Sequence, residues 1–174
     1  MLAPRLTTSK SIAVSRRNAR SYPRCPLGGF VPAPLQTNMS FPPSKFYAAL
    51  AKTTALGRAS MSVVSALLSS DQALVEALVD DLGSDFLFTS DMAQIGADLR
   101  RSLTGRVVAA LYHIYIDQLG YVWLDYADQH ISTSSPLGDF LYDGANIGSP
   151  SLALAEVKGL DDSSGFCASG EGKG

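Results

Sequence analysis

Hydrophobic residues in the first two thirds of the chain recur every three to four positions, as in amphipathic helices. This spacing predicts helical structure over 44–68, interrupted near Gly57, and a second helix over 69–82. Ser69 lies three residues before Gln72, which is the arrangement of a capping box. The second helix is therefore expected to begin at Ser69.

Two further helices are expected before residue 120. Ser90 opens one that extends to about Arg101, and the longest periodic segment follows over 104–119. The 104–119 segment is apolar nearly all round, which is typical of a helix packed between two layers. We therefore interpret His113, which lies on it, as a packed or hydrogen-bonded interior residue rather than a ligand.

From Gly120 onward the hydrophobic period becomes that of a strand. Residues 121–126 alternate and are rich in aromatic and β-branched types, and strands are also expected over 139–143 and 151–158. The last of these is apolar on both faces up to Glu156, as in a central strand. The predicted fold is α/β (α+β), with a helical N-terminal segment followed by a helix-strand-strand-strand unit.

Charge divides the chain into two unequal parts. Nine basic and no acidic residues precede Asp71, whereas sixteen acidic and five basic residues lie from Asp71 onward. The net charge of −2 hides this asymmetry, and the two parts are expected to have different roles. The acidic balance after Asp71 argues against a broad DNA-binding face in that part.

The basic segment 1–40 is predicted to be a disordered extension, and three interpretations of it remain open. An Arg- and Ser-rich, acid-free start is typical of organellar transit peptides, here residues 1–38. It also suits an arm that contacts nucleic-acid phosphates. Alternatively, the segment lies upstream of the folded protein, which would then begin near Met39. The protein is expected to be cytoplasmic, or organellar if residues 1–38 are a transit peptide.

Composition limits the remaining classes. No apolar run approaches the roughly 18 residues of a membrane-spanning helix, so no membrane partner is expected. Cys25 and Cys167 match no zinc-binding spacing and are interpreted as ordinary thiols in a reducing compartment. The Gly- and Ser-rich tail over 160–174 is predicted to be disordered, because it has few large apolar residues.

The candidate chemistry lies on the last two predicted strands. Asp139 begins one strand, and Glu156 and Lys158 end the next, where the period of two places both on one face. Two carboxylates with a backbone carbonyl, from Val157 or Ala155, suit Mg²⁺ or Mn²⁺. Lys158 could orient or deprotonate a water molecule, or neutralise charge developing on a phosphate.

This arrangement resembles the PD-(D/E)xK nuclease superfamily, on the segments 137–141 (Leu-Gly-Asp-Phe-Leu) and 154–159 (Leu-Ala-Glu-Val-Lys-Gly). The resemblance implies a restriction-endonuclease-like fold and metal-dependent hydrolysis of DNA phosphodiesters. Asp139 and Glu156 would be metal ligands and Lys158 the catalytic lysine. The family often adds an acidic residue from the helix before the sheet, for which the candidates are Asp98 and Asp117.

The resemblance covers about 103–159, and the family core continues with a helix and another strand, whereas only sixteen residues follow Lys158 here. The expected organisation is therefore an extension (1–40), a helical segment (41–101), a C-terminally truncated nuclease-like core (102–159) and a tail (160–174). Truncation would leave an open sheet edge through which oligomers could form, and it puts endo- or exonuclease activity in doubt.

An alternative from a different functional class is a non-catalytic interaction module, or a fragment with a vestigial sheet. In that case the helical segment 44–101 would bind a partner. This alternative predicts neither metal binding nor nuclease activity.

Overall fold

The computed structural model describes residues 6–14, 38–55, 59–131, 139–144, 152–162 and 165–171, with the backbone alone for Glu156, 158–162 and 165–171. Three helices are present in these residues: α1 (Pro43–Thr54), α2 (Met61–Leu78) and α3 (Ala97–Gln118). The strands are β1 (Lys10–Ala13), β2 (Asn38–Phe41), β3 (Val122–Tyr126), β4 (Phe140–Asp143), β5 (Leu152–Asp162) and β6 (Gly165–Glu171). The fold is mixed α+β, as the sequence predicted.

Helix α2 differs from its predicted boundaries at both ends. It begins at Met61 and continues through Ser69 without a break, so the predicted start at Ser69 is wrong. A serine caps a helix only if the residues before it leave the helical conformation, and here they do not. The helix ends at Leu78, because Val79 is extended and forms a β-bridge with Phe88.

Helix α3 includes parts of two segments that were predicted as separate helices, one from Ser90 to about Arg101 and one over 104–119. A short 3₁₀ helix covers Ser90–Gln94, and α3 then runs unbroken over 22 residues. The predicted break between Arg101 and Thr104 is therefore wrong. The predicted end is confirmed, since Gly120 follows with a φ of 91°, which favours glycine. The helix packs on α1 on one side and on the sheet on the other, as its all-round apolar surface predicted.

The N-terminal segment contributes a strand to the fold. Strand β1 pairs with β2 in an antiparallel two-stranded sheet, and Leu6 lies in the main core with 3% of its surface exposed. The prediction of a disordered extension over 1–40 is therefore wrong for residues 6–14 and 38–40, while 15–37 lie outside the described residues. Composition suggested disorder, whereas the apolar residues Leu6 and Ile12 find a core built by the helices.

A buried lysine fastens β1 to the loop after α2. Lys10 is 1% exposed, and its Nζ donates to the carbonyl oxygens of Asp80 at 2.5 Å and Gly83 at 2.7 Å. Next to it, the backbone N–H of Thr7 donates to the Asp81 carboxylate and lowers the pKa of Asp81 to about 2. Burial of the lysine charge is thus matched by fixed oxygen acceptors.

The second sheet is a meander with the strand order β3-β4-β5-β6, in which all neighbours are antiparallel. The predicted strands over 121–126, 139–143 and 151–158 correspond to β3, β4 and the first part of β5. The structure differs from the predicted tail, because β5 continues to Asp162 and pairs with β6. A Gly- and Ser-rich segment can satisfy the backbone groups of β5 without contributing large apolar side chains.

The described residues form two hydrophobic clusters on opposite sides of α3. The larger one fills the space between β1, β2 and the three helices and includes Phe41, Phe46 and Phe86. The smaller one lies between α3 and the sheet; its buried members are Ala109, Phe140, Tyr142 and Ala155. No helix in the described part of the chain is long and apolar enough to cross a membrane.

Candidate functional site

The hairpin of β4 and β5 brings the predicted acidic residue and the Glu-x-Lys segment together. Phe140 pairs with Ala155 in this hairpin. Asp139, which precedes Phe140, therefore lies beside the backbone of Glu156 and Val157, which follow Ala155. Antiparallel pairing is the reason, because it places the start of β4 next to the part of β5 that lies beyond Ala155. A contact between positions eighteen apart follows from this register.

Asp139 is anchored directly to the Glu-x-Lys segment. Its Oδ2 accepts a hydrogen bond from the backbone N–H of Val157 at 2.7 Å, and the side chain is exposed. One bond of this kind orients a carboxylate while engaging only one of its two oxygens. The side chains of Glu156 and Lys158 lie outside the described part of the structure, so their roles stay predictions, as does that of the Val157 carbonyl.

The residues between β3 and β4 hold Asp139 from the other side. The backbone N–H of Ala127 donates to the carbonyl oxygen of Asp139 at 3.1 Å, and a 3₁₀ turn over Ala127–Gln129 follows β3. Ala127 is fully buried. The position of Asp139 is thus fixed from two sides: by β5 through its side chain and by the 3₁₀ turn after β3 through its backbone.

Negative charge accumulates at this end of the sheet. Burial, followed by the negative charges of Asp125, Asp139 and Asp128 in that order of effect, raises the pKa of Tyr126 to about 12. The Tyr126 hydroxyl donates to the carbonyl oxygen of Thr53, which ties the sheet to α1. Three carboxylates acting on one side chain create a negative potential that favours a cation.

A histidine–aspartate pair at this end was missed by the sequence analysis. His130 Nε2 lies 3.0 Å from Asp125 Oδ2, and about half of the His130 side chain is exposed. The residues are five positions apart, across the end of β3 and a turn. No fixed spacing identifies such a pair, because the intervening turn decides whether the side chains meet. The sequence therefore offered no usable signal.

The other candidate residues have roles in packing or surface ion pairs. His113 is buried beside Tyr142, and burial, followed by the positive charge of Lys52, lowers its pKa to about 4. The interpretation of His113 as an interior residue is confirmed. Asp117 forms an ion pair with Lys45 at 2.7 Å. The packing of His113 and the ion pair of Asp117 explain these two residues without a role in the site.

Asp98, the other candidate for an additional acid, lies in the first turn of α3. Its side chain is almost fully exposed and lies 3.5 Å from Arg101. An acidic residue in the first turn of a helix interacts favourably with the helix dipole, and Arg101 is on the same face one turn later. This position is explained by the helix itself.

The described side chains alone do not form a metal-binding group at this site. Within those residues, which do not include the Glu156 carboxylate, no group of three or more His, Cys, Asp or Glu side chains could hold a metal ion. Comparison with known proteins gave no match to a protein-family model, to a curated protein or to a solved structure.

Proposed function

We propose that this protein is a metal-dependent nuclease-like protein that hydrolyses phosphodiester bonds of DNA with Mg²⁺ or Mn²⁺. The observation that carries the proposal is the 2.7 Å hydrogen bond from the Val157 N–H to Asp139 Oδ2. It joins the first acidic residue of the motif to the middle of the Glu156-Val157-Lys158 segment. Two parts of a short sequence pattern that meet in space are better support than the pattern alone.

The residues at this end of the sheet suit a hard divalent cation. Asp139 and Glu156 would supply carboxylate oxygens, and the Val157 carbonyl would supply a third oxygen. The carboxylates that raise the pKa of Tyr126 provide the negative field that such a cation requires. A bound Mg²⁺ supplies a Lewis acid for a phosphoryl oxygen and lowers the pKa of a bound water.

Lys158 is assigned the role of the catalytic lysine. An ammonium group on the strand that carries Glu156 can orient the attacking water or accept its proton, and it can offset charge that develops on the phosphate. The alternating direction of side chains along a strand supports a common side for the two residues. Asp139, by contrast, has no part in proton transfer and holds the cation in place.

The test is cleavage of plasmid and linear DNA by the purified full chain with Mg²⁺ or Mn²⁺. Asp139→Asn, Glu156→Ala and Lys158→Ala should each reduce cleavage by about a hundredfold or more, the scale for losing one transition-state contact. Asp143→Asn is the matched control, because it makes the same chemical change at the opposite end of β4. Cleavage that is equal in all four variants would show that the site assignment is wrong.

The proposed location is the cytoplasm, with DNA as the partner. The two cysteines match no metal-binding or disulfide spacing, which is typical of a reducing compartment. The organellar alternative requires removal of residues 1–38, and that would delete Leu6 and Lys10 from buried positions. Fusion of a fluorescent protein to the C-terminus, followed by imaging, would separate the two locations.

A second candidate, an interaction module, is favoured by the first half of α2. None of the residues 61–70 is buried, and none carries a charge. Two of their apolar residues are largely exposed, Met61 at 79% and Val63 at 49%. Exposed apolar side chains without neighbouring charges are typical of interaction surfaces. Light scattering of the full chain tests this function, since Met61→Ser with Val63→Ser should dissociate any oligomer. A monomer that cleaves DNA would exclude it.

A further inference from the structure

The histidine–aspartate pair lies at the same end of the sheet as Asp139, and two hydrogen-bond contacts hold its carboxylate. The backbone N–H of Tyr126 donates to Asp125 Oδ1 at 2.9 Å, while Asp125 Oδ2 faces His130 Nε2 at 3.0 Å. Both oxygens of Asp125 are therefore engaged. A carboxylate fixed in this way also fixes the direction of the imidazole ring, as it does for histidines that bind metals.

The turn that carries His130 is also attached to Asp139. The N–H of His130 donates to the carbonyl oxygen of Ala127 at 3.2 Å, and the N–H of Ala127 donates to the carbonyl oxygen of Asp139 at 3.1 Å. One buried residue thus connects the two positions. Because Ala127 cannot move without disturbing the sheet, His130 and Asp139 belong to one fixed end of it.

We propose that His130, oriented by Asp125, contacts a phosphate of the nucleic acid and is a substrate-binding residue. The proposal rests on the proposed nuclease function. A protonated imidazole has two N–H donors, and with Nε2 directed at Asp125 the Nδ1–H is left for a phosphate oxygen. A polyanion that approaches an end of the sheet carrying Asp125, Asp128 and Asp139 needs a cationic contact there.

Imidazole NMR tests the contact directly, because the chain contains two histidines. The probe is a short phosphorothioate DNA duplex with Ca²⁺, an oxygen-liganded cation, in place of Mg²⁺. The ring resonances of His130 should shift on addition of the duplex, whereas those of His113, which is 5% exposed, should not. If the His130 ring does not respond, the proposal is overturned.

Binding of the same duplex, measured by fluorescence anisotropy, provides the second test. His130→Gln should weaken affinity by about tenfold, the effect of one charge-assisted hydrogen bond. Asp125→Asn should weaken it less, because the imidazole remains but loses its fixed partner. Asp128→Asn is the matched control: it removes a neighbouring acidic charge without touching the pair, and should leave affinity unchanged or raise it.

Circular dichroism and thermal melting of each variant confirm that the fold is retained, which the exposure of His130 leads us to expect. Unchanged affinity in His130→Gln would also overturn the contact. A loss of affinity in Asp128→Asn equal to that in Asp125→Asn would show that the effect does not depend on the pair, and would overturn the contact as well.

The outcomes separate this contact from the proposed function. If cleavage is lost in Asp139→Asn and Lys158→Ala but the His130 ring does not respond, the nuclease function stands and the contact is wrong. If the His130 ring responds but none of the site variants alters cleavage, the contact stands and the nuclease function is wrong.

Discussion

The helical part and the sheet of this protein use polar residues in opposite ways. In the helices and the two-stranded sheet packed on them, two charged side chains are buried and matched: Asp71 is fully buried against Arg106, and Lys10 of β1 donates to fixed carbonyl oxygens. At the end of the sheet, Asp125, Asp128 and Asp139 gather around one tyrosine, and Asp139 is exposed. Matched burial holds a structure together, whereas gathered acidic residues at a surface create a field for a ligand.

The two hydrophobic clusters also differ, in the number of their buried residues. The cluster between β1, β2 and the three helices has sixteen buried members in the described residues, and the cluster between α3 and the second sheet has four. Most of the stability should therefore come from the helical part, and most of the chemistry from the sheet. This separation is common where a rigid scaffold supports a site on its edge.

The largest expected effect is that of removing the N-terminal arm, defined as residues 6–14. Deletion of 1–14 removes Leu6 from the main core and takes Lys10 away from its carbonyl acceptors. Loss of a buried leucine alone costs about 2–5 kcal/mol, so this deletion should lower the free energy of unfolding by more than about 4 kcal/mol.

Urea unfolding followed by circular dichroism measures the effect of the deletion. A shorter deletion, of residues 2–5, is the control, because it retains the contacts of Leu6, Thr7 and Lys10. Equal stability of the two deletions would show that the N-terminal arm does not contribute to the fold.

The next effect concerns the ion pair between α2 and α3. The Arg106 guanidinium contacts the buried Asp71 carboxylate, which also accepts a hydrogen bond from the Thr54 hydroxyl at 3.2 Å. Asp71→Ala should destabilise the protein by roughly 3 kcal/mol, because a charged partner is left without its counterpart.

The matched control for Asp71 is Asp117→Ala at the end of α3. Asp117 pairs with Lys45 at 2.7 Å, but both side chains are more than a third exposed. An exposed pair contributes up to about 1 kcal/mol, so the loss should be small. Thermal melting of the two variants side by side would contradict the comparison if their losses were equal.

A pH effect of intermediate size is expected from His113. Its pKa is 6.5 in the unfolded chain and about 4 in the folded protein, so the unfolded state takes up the proton first as pH falls. Stability should therefore decline from about pH 6.5 downward, by roughly 2 kcal/mol between pH 7.5 and pH 5. Urea unfolding at a series of pH values measures this decline, and His113→Gln should make it less steep. An unchanged slope would contradict neutral burial of the imidazole.

The smallest expected effect on stability is at the site itself. Asp139→Asn removes one charge at an exposed position and should change the free energy of unfolding by less than about 1 kcal/mol. The same variant should lose DNA cleavage, so stability and activity would separate at this residue. A large loss of stability would mean that Asp139 serves the fold rather than the site.

Sequence reasoning performed best where one local pattern was sufficient. Strand β3 was predicted from alternation, and the end of α3 from Gly120. It failed at Ser69, where a local start signal lies inside a longer helix. Such signals compete with continuation of the helix, and packing of the following turns on neighbouring helices decides the outcome.

The residues of the candidate site were likewise predicted only in part. Asp139, Glu156 and Lys158 were predicted from a short motif, and the structure brings Asp139 to the backbone of that motif. The pair of Asp125 and His130 was not predicted, because it depends on the path of the turn between β3 and β4. Residues that meet through a turn carry no periodic signal in the sequence.

The sequence by itself determined the helix-strand-strand-strand order from α3 to β5, the apolar all-round surface of α3 and the residues of the candidate motif. These follow from periodicity and residue type, which are local properties. Only the tertiary structure decided that the N-terminal arm is part of the core, that β6 covers β5 and that Asp139 meets Val157. The reason is physical: burial and strand pairing join residues that are distant in the chain, and their free energy depends on which partners the fold brings together.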